Sequence, residues 1–455
     1  MLFDLNREKL LTKLSTLLKR NYRQNTSRFI LTALILLVFV PIRGECIEAD
    51  GVKSVIAEKT TVGAPKSPAN TISSPVPAAT PQPTPAKSSA IPAAQATPVT
   101  SVTIEEIVNP YKEYTYEQMM KDAQLLQKRY PGIIRLGSLG KSVEGREILL
   151  VELGKGERKI TLNGSHHARE YISTTVLMKM IEQYASCYTA NKSFEGYNTR
   201  DILNKATICF VPMVNPDGVT LVQQGPEKMK EPDAVRKING GKSSFSSWKA
   251  NARGVDLNYQ YPCSWNRISK AQSPSSEGYK GTSPATEPEV KALMEYTLKN
   301  PFLIHVAYHT QGEILYWYNR QTGEFYDLSR KIGLGLEKIT GYRLMAEKEQ
   351  QNSYGGYKDW TVTYLKKPGY TIELCPYVGN YPYPDKQFDD AWKKADATGL
   401  FFASEAINMK GYDFEVHHKG KLVQVFSSEQ DAEAFAKELD GGTVVYLNNV
   451  VYANN

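Results

Sequence analysis

The chain has 455 residues, of which 41% are hydrophobic and 23% charged, so most of it can bury a core. Its net charge of +7 is concentrated at one end, because residues 1–28 hold seven Lys or Arg against two acids. The remainder is close to neutral, which argues against a nucleic-acid-binding protein. Five cysteines without a CxxC pair exclude a disulfide-rich scaffold, although one bridge is possible.

Residues 29–42 form an apolar segment without charge, FILTALILLVFVPI. This segment is shorter than the roughly 20 residues that span a bilayer, and it matches the hydrophobic part of a secretory signal. The basic segment 1–28 fits the cytoplasmic side of such a signal. We therefore expect an exported protein that is either secreted or anchored in the membrane. The anchor is preferred, because the following RGECIEADG contains no clear cleavage site.

Residues 43–103 are rich in Pro, Ala, Thr and Ser. Such a composition cannot bury a core and favours extended conformations. It predicts a linker that holds a folded body away from the membrane.

Residues 104–410 are predicted to form the catalytic domain. We expect helices at 116–129, 171–185, 287–299, 326–341 and 389–409, and strands at 133–139, 147–154, 159–164, 207–214, 302–309 and 369–374. Apolar strands that alternate with amphipathic helices predict an α/β fold, with a mostly parallel sheet and helices on both faces.

Residues 411–455 are predicted to form a small α+β module of ββαβ type. Two strands flank a turn near His417 and His418, a capping box at Ser427 opens a helix, and one or two strands follow. The two histidines are interpreted as part of an exposed turn, and no chemistry is predicted for this module.

The stretch NGSHHARE places His167 and Glu170 between a predicted strand and a predicted helix. The carboxyl ends of strands are where open α/β sheets place their ligands. An imidazole and a carboxylate are also a common zinc pair. His166 is interpreted as a neighbour of the site rather than a ligand.

The predicted strand 302–309 supplies a third candidate ligand. His305 and His309 share one of its faces, and His309 lies at its end. His305 is expected to be a hydrogen-bonded core histidine. His167, Glu170 and His309 then form a two-His, one-carboxylate set for one zinc ion, with a position left open for water.

A zinc hydrolase also needs a base and a donor for the developing oxyanion. Glu373 lies in the apolar strand GYTIELCP and is the candidate base. Arg253 is the candidate donor, and Asp256 is suited to orient a ligand imidazole. The alternative for Arg253 and Asp256 is an ordinary ion pair in a loop.

Several motifs in order resemble the zinc carboxypeptidase family over about residues 104–408. These motifs are EGREI, GSHHARE, VPMVNPDGV, ARGVDLN, HTQGEILYW, GGYKDW and GYTIELCP. The resemblance implies a mixed sheet of about eight strands, one zinc with the same three ligands, and Glu373 as general base. It also implies that Arg253 polarises the scissile carbonyl, that Arg169 belongs to a substrate subsite, and that Asp256 is the partner of the first histidine ligand.

Two departures from the family concern the substrate. Carboxypeptidases of the family clamp a terminal carboxylate with an asparagine and an arginine, whereas here Asn258 is kept and Tyr259 replaces the arginine. Lys358, in GGYKDW, occupies the specificity position and predicts a substrate with an extra carboxylate. Tyr357 and Tyr354 are the nearby candidates for the family's substrate-capping tyrosine.

In these departures the chain resembles the bacterial branch of the family called γ-D-glutamyl-L-diamino acid endopeptidases. We therefore expect a zinc peptidase that hydrolyses peptidoglycan stem peptides at the cell wall, tethered to the membrane by its N-terminal segment. A metallocarboxypeptidase that acts on ordinary peptides is the first alternative. A catalytically silent wall-binding protein is the second, and the presence of all three ligands and Glu373 speaks against it.

Overall fold

The computed structural model describes residues 105–352, 354–409, 414–426, 429–439, 441–446 and 449–453. The basic segment 1–28, the apolar segment 29–42 and the linker 43–103 lie outside these residues, so what the sequence predicts for them stays a prediction. Among the helices in the described ranges, none combines the length and the apolar character needed to cross a bilayer.

Ten strands precede residue 375. They are β1 (Ile134–Lys141), β2 (Glu147–Gly154), β3 (Arg158–Gly164), β4 (Ser193–Phe194), β5 (Tyr197–Asn198), β6 (Ala206–Val211), β7 (Phe302–Thr310), β8 (Ile314–Tyr316), β9 (Arg343–Leu344) and β10 (Gly369–Leu374). Eight of them form one mixed sheet in the order β1-β2-β6-β3-β7-β10-β8-β9, and β4 and β5 form a separate hairpin.

Ten helices accompany these strands. They are α1 (Tyr116–Arg129), α2 (Ile172–Ala190), α3 (Thr199–Lys205), α4 (Pro216–Gln224), α5 (Pro232–Ile238), α6 (Pro288–Lys299), α7 (Gly323–Thr340), α8 (Tyr357–Trp360), α9 (Phe388–Ala395) and α10 (Thr398–Asn408). A large core joins one sheet face to helices such as α2, α7 and α10. A smaller core joins the opposite face to α6 and α8. The predicted fold, an eight-stranded mixed sheet with helices on both faces, is confirmed.

The middle of the sheet is parallel. Strands β6, β3, β7 and β10 are neighbours in this order and run in the same direction. Their carboxyl ends therefore meet at one edge of the sheet. Residues that follow β3, end β7 and end β10 are brought together there.

The largest differences from the predicted element boundaries are at two helices. The expected helix at 389–409 is divided into two helices. Helix α9 ends at Ala395, and helix α10 begins at Thr398. The helix expected at 171–185 continues to Ala190. Strands β8 and β9 were not predicted, because two or three residues are too few to show a periodic pattern.

The C-terminal residues form their own sheet. Strands β11 (Phe414–His418), β12 (Lys421–Phe426), β13 (Gly442–Tyr446) and β14 (Asn449–Ala453) are arranged in the order β12-β11-β13-β14, and helix α11 (Glu429–Lys437) lies between β12 and β13 in sequence. Two strands follow the helix, so the order is ββαββ rather than ββαβ. His417 and His418 end β11 instead of lying in the turn, and His417 Nε2 lies 2.9 Å from Glu415 Oε2.

Candidate metal and catalytic site

The three predicted zinc ligands come from two neighbouring strands. His167 lies just beyond the end of β3, and Glu170 ends the short 3-10 helix Ala168–Glu170 that follows it. His309 is the penultimate residue of β7, which pairs in parallel with β3. All three side chains are almost completely buried. The parallel pairing therefore brings together residues that are 139 or more positions apart.

The donor atoms of these three residues converge. Glu170 Oε1 lies 2.8 Å from His167 Nδ1, and Glu170 Oε2 lies 2.8 Å from His309 Nδ1. The two Nδ1 atoms are 3.2 Å apart. Ligands about 2.1 Å from a tetrahedral zinc ion are separated by roughly 3.4 Å, which is close to the distance between the two Nδ1 atoms and longer than the hydrogen-bond distances to Glu170. The nitrogen and carboxylate donors and their spacing therefore fit zinc.

The electrostatics of this cluster favour a cation. Burial alone would lower the pKa of His167, but the Glu170 and Asp256 carboxylates outweigh burial and raise it to about 9. Burial would also raise the pKa of Glu170, yet His167 and Lys249 hold it well below its ordinary value. The site therefore keeps a carboxylate charged and attracts positive charge to the space between the donors.

Asp256 orients the first histidine ligand. His167 Nε2 lies 3.2 Å from Asp256 Oδ1, which leaves Nδ1 to face the other donors. The same carboxylate accepts hydrogen bonds from the backbone N–H groups of Asn258 and Gly278, at 3.2 and 3.1 Å. Such a partner fixes the tautomer and the ring orientation of a metal ligand. The structure thus places Asp256 where the sequence predicted it.

Replacing Asp256 by Asn should weaken zinc binding by roughly 10- to 100-fold, because the amide is a poorer acceptor for the imidazole N–H. Competition with a chelator measures the zinc affinity. The exposed Asp233, replaced by Asn, is the matched control. An unchanged zinc affinity in the Asp256 variant would show that His167 is oriented by other contacts.

Glu373 lies beside the ligand cluster. It pairs in register with His309 on the adjacent parallel strand, so the two side chains share one face of the sheet. Burial, and then the nearby Glu170 carboxylate, raise the pKa of Glu373 to about 8. A carboxylate with increased proton affinity next to the ligands is suited to act as a general base.

Lys249 supplies the cation of the site, and the sequence analysis missed it. Its Nζ lies 3.6 Å from Glu170 Oε1. Burial would lower the pKa of Lys249, but the Glu170 and Asp256 carboxylates outweigh this effect and raise it, so the amine stays protonated.

Backbone hydrogen bonds explain the position of Lys249. The N–H groups of Ala168 and Arg169 donate to the carbonyl oxygens of Lys249 and Trp248, at 3.0 and 3.1 Å. The segment around Trp248 is thus attached directly to the ligand segment. In the sequence, the signal for an anchored segment is a tryptophan immediately before the lysine. The structure shows that this residue, Trp248, is fully buried.

Arg253 occupies a different environment from the one predicted. Its side chain is 56% exposed, and its Nη1 lies 3.6 Å from Glu287 Oε2. It lies within a turn in which Gly254 N donates to Asn251 O at 3.0 Å, and this turn follows the segment that carries Lys249. The structure therefore supports the alternative of a loop ion pair for Arg253, with Glu287 rather than Asp256 as its partner.

The Arg169 side chain is held by hydrogen bonds to other residues of the chain. Its guanidinium donates to the Ser247 carbonyl oxygen at 3.1 Å and to the carbonyl and side-chain oxygens of Asn380 at 3.4 and 3.3 Å. Glu277 Oε2 is 3.8 Å away. Arg169 thus joins two loops beside the ligands, where the sequence predicted a residue that contacts substrate.

Lys358 is not a free cation. Its side chain is 3% exposed, and its Nζ lies 2.6 Å from Asp359 Oδ1 and donates to the Tyr318 carbonyl oxygen at 2.9 Å. The neighbouring carboxylate therefore neutralises the charge from which the sequence predicted recognition of a substrate carboxylate. That specificity argument is corrected.

Replacing Lys358 by Met should lower the free energy of unfolding by about 3 to 5 kcal/mol, because the buried Asp359 carboxylate loses the charge that offsets it. Urea unfolding at constant zinc measures the change. Replacement of the exposed Lys366 by Met removes the same charge from the surface and should shift stability far less. Similar losses in both variants would contradict the buried pair.

Tyr357 belongs to the core rather than to a substrate subsite. It is completely buried, and its hydroxyl lies 3.1 Å from both Thr297 Oγ1 and His305 Nδ1. Its N–H donates to Asn258 Oδ1 at 3.3 Å. Asn258 and Tyr259 are half-buried beside the ligand partner Asp256, so these two predicted residues stay near the site.

His166 and His305 are structural neighbours, as the sequence predicted. His166 Nε2 lies 2.8 Å from the Tyr261 hydroxyl, and burial holds the pKa of His166 well below its ordinary value. Burial lowers the pKa of His305 to about 3. Both imidazoles are therefore neutral and stay outside the donor set.

The four cysteines in the described residues are buried free thiols, and none of them lies in the donor cluster. The donors of the candidate metal site are thus nitrogen and oxygen atoms alone. Two imidazoles, a carboxylate ligand, an adjacent carboxylate base and a half-buried lysine at the carboxyl edge of an α/β sheet define a metal-dependent hydrolase.

Comparison with known proteins agrees with this class. Residues 119–398 match the family described as zinc carboxypeptidase. The chain belongs to the zinc carboxypeptidase family and is a zinc metallopeptidase.

Two relatives and one solved structure are similar to the chain. A gamma-D-glutamyl-L-diamino acid endopeptidase 1 from Lysinibacillus sphaericus is 35% identical over 305 residues, which cover 65% of this chain and 73% of that protein. The uncharacterized protein YqgT from Bacillus subtilis (strain 168) is 37% identical over 282 residues, 58% of this chain and 71% of that protein. Bovine thrombin-activatable fibrinolysis inhibitor shares the fold at 20% identity, with a TM-score of 0.52 over 66% of this chain and 99% of that chain.

Proposed function

We propose that this zinc peptidase hydrolyses the γ-D-glutamyl bond to a diamino acid in the stem peptides of bacterial peptidoglycan. The endopeptidase from Lysinibacillus sphaericus, whose name states this bond, is 35% identical and matches most of the peptidase domain. The proposal also agrees with the presence of Tyr259 at the position where the resemblance places a clamp arginine.

The replacement of the clamp arginine by Tyr259 carries the proposal. The Tyr259 side chain is half-buried, and burial raises its pKa to about 12, so the phenol is neutral. A neutral hydroxyl cannot replace a bidentate guanidinium as a partner for a carboxylate. The nearby Lys358 does not compensate, because it is paired with Asp359. A substrate without a free carboxylate at this position fits the site better.

The catalytic roles follow from the geometry. His167, Glu170 and His309 would hold zinc, and the ion would supply a Lewis acid that polarises the scissile carbonyl and lowers the pKa of water. Glu373 takes a proton from the attacking water and returns it to the leaving nitrogen. Its raised pKa allows it to hold that proton between the two steps.

Lys249 takes the role that the sequence assigned to Arg253. Its protonated amine lies beside the buried Glu170 carboxylate, and it can donate to the oxyanion that develops on the carbonyl. Asp256 keeps the His167 ring in place during this change of charge. The residues thus provide a base, a positive donor and an oriented ligand set.

Release of C-terminal residues from ordinary peptides is the second candidate. Burial raises the pKa of the Tyr259 phenol, and the positive charge of Lys249 opposes part of this rise, so one cation does lie in the vicinity of the missing clamp. Lys249 is 3.6 Å from Glu170, however, and this carboxylate competes with any substrate carboxylate for the amine. We therefore place this activity second.

The same proposal puts the enzyme outside the cytoplasm. A wall peptide is reached only by an exported enzyme, and the uncharged segment 29–42 after the basic segment 1–28 supports export. The linker 43–103 would then separate the peptidase from the membrane or the point of release. Fractionation of cells that produce the tagged full-length chain tests this part, and recovery in the cytosol would contradict it.

The full-length protein, loaded with zinc, should be incubated with two peptides of equal length. One contains L-alanyl-γ-D-glutamyl-L-lysine, and the other contains the same residues with ordinary α-linkage and a free C-terminus. We expect cleavage at the γ-linked bond, detected by mass spectrometry. Cleavage of the α-linked peptide alone would show that the carboxypeptidase alternative is correct.

A further inference from the structure

The side chain of Asn215 connects the two loops that form the candidate site. Asn215 lies between β6 and α4 and is the N-cap residue of α4, where its Oδ1 accepts a hydrogen bond from the Gly218 N–H at 2.9 Å. Its Nδ2 lies near three backbone carbonyl oxygens, those of His166 at 3.2 Å, Lys249 at 3.4 Å and Ala250 at 3.0 Å. One amide group therefore contacts both the loop of the metal ligands and the loop of the oxyanion donor.

Asn215 is itself held firmly in the fold. It is completely buried, and its backbone N–H donates to the Ser165 carbonyl oxygen at 3.1 Å. The first turn of α4 also lies directly against the second loop, since a Cβ atom at Gly218 would be only 2.6 Å from Ala250 O. The side-chain amide is thus a fixed point against which the second loop is set.

Hydrogen bonds on both sides of its Cα atom fix the backbone of Lys249. Its carbonyl oxygen accepts from Asn215 Nδ2 and from the Ala168 N–H, the latter at 3.0 Å. Its own N–H donates to the Ser276 carbonyl oxygen at 2.8 Å. The amine of a lysine ends a flexible four-carbon chain. Its place 3.6 Å from Glu170 Oε1 therefore depends on where that chain begins.

A second asparagine supports the part of the loop that follows. Asn251 Oδ1 accepts a hydrogen bond from the Val255 N–H at 3.1 Å, and Asn251 Nδ2 donates to Glu287 Oε2 at 2.8 Å. The turn after Asn251 thus has its own hydrogen bonds. The Asn215 amide acts on the part of the loop that contains Lys249.

We infer that Asn215 is a positioning residue, which sets the place of the Lys249 amine relative to the metal ligands. Asn215 acts on the reaction through Lys249 and provides no group to the substrate. An oxyanion donor is effective because it is preorganised, and a displacement of about 1 Å can cost roughly 10²-fold in rate. This role depends on the proposed function, which assigns stabilisation of the oxyanion to Lys249.

The experiment is a double-mutant cycle on the full-length, zinc-loaded enzyme. The variant Asn215→Asp keeps the size of the side chain and the helix cap, and it removes the N–H donors. The variant Asn215→Ser also keeps a capping oxygen and introduces no buried charge, so it decides the outcome if Asn215→Asp does not fold. Each is made in the wild-type and in the Lys249→Met background.

In the wild-type background we expect kcat to fall roughly 10- to 100-fold, with KM changed less than about threefold, because the donor acts on the transition state. In the Lys249→Met background the same substitutions should lower kcat less than about threefold further, since residues that act through one another are not additive. A merely structural role would lower kcat by the same factor in both backgrounds.

The matched control is Asn198, the exposed N-cap residue of α3, whose Oδ1 accepts from the Asp201 N–H at 3.0 Å. Its replacement by Asp or Ser should leave kcat unchanged. Zinc content and thermal unfolding are measured for every variant. Wild-type kcat in the folded Asn215 variants, an equal loss in both backgrounds, or loss of zinc from the folded variants would each overturn the inference.

The cycle is run on whichever of the γ-linked and α-linked peptides the wild-type enzyme cleaves, so it does not depend on the γ-glutamyl assignment. A wild-type kcat in Lys249→Met alone would refute the proposed role of the lysine, and the role of Asn215 with it. An impaired Lys249→Met enzyme with an additive loss from Asn215 would refute the positioning role alone.

Discussion

Replacement of Glu373 by Gln should lower kcat by roughly 10²- to 10⁴-fold, because the amide cannot accept the proton of the attacking water. The substitution is nearly isosteric and leaves His167, Glu170 and His309 intact. Zinc content should therefore stay at one ion per chain. The structural basis is the register of β10 and β7, which puts Glu373 directly beside His309.

The measurement combines the steady-state rate on the γ-linked peptide with the zinc content of the same preparation. Replacement of Glu295 by Gln, on the surface of α6, is the matched control and should be without effect. Turnover close to that of wild type in the Glu373 variant would exclude this residue as the base. Loss of zinc together with activity would instead indicate a structural role in the metal site.

Replacement of Lys249 by Met should lower kcat by roughly 10²- to 10³-fold, the loss observed when one oxyanion donor is removed from a preorganised site. Methionine keeps most of the length of the side chain and removes its charge. The effect should fall on kcat more than on KM, since the oxyanion exists only in the transition state.

Replacement of Arg253 by Met is the matched control for Lys249, and it decides between the two cations. Because Arg253 is more than half exposed and paired with Glu287, we expect its loss to change kcat less than about threefold, in line with a surface ion pair. A large loss in the Arg253 variant with normal turnover in the Lys249 variant would return the oxyanion role to the arginine.

The metal ligands and the general base could be predicted from the sequence for one common reason. His167, His309 and Glu373 each lie at or just beyond the carboxyl end of an apolar strand, and Glu170 is three residues from the first histidine. The end of a strand, and the alternation of its side chains between two faces, can be seen in the local sequence. The α/β fold then requires that the ends of parallel neighbours meet at one edge.

The cation of the site could not be predicted from the sequence in this way. Both Lys249 and Arg253 lie in a loop segment without periodicity, a few residues before Asp256. Backbone hydrogen bonds from Ala168 and Arg169 fix the part of the segment that contains Lys249. Since backbone pairing between loops does not depend on side-chain pattern, only the tertiary structure distinguishes the two cations.

For the residues expected to contact substrate, too, the sequence shows one part and the structure another. The amino-acid sequence alone shows that Tyr259 stands where carboxypeptidases of the family carry an arginine, because the loss of a charged residue is visible without a structure. The three-dimensional structure was needed to show that Lys358 is neutralised by Asp359. Lys358 and Asp359 are adjacent in the sequence, but the burial that commits the lysine to this partner depends on how the rest of the chain packs around them.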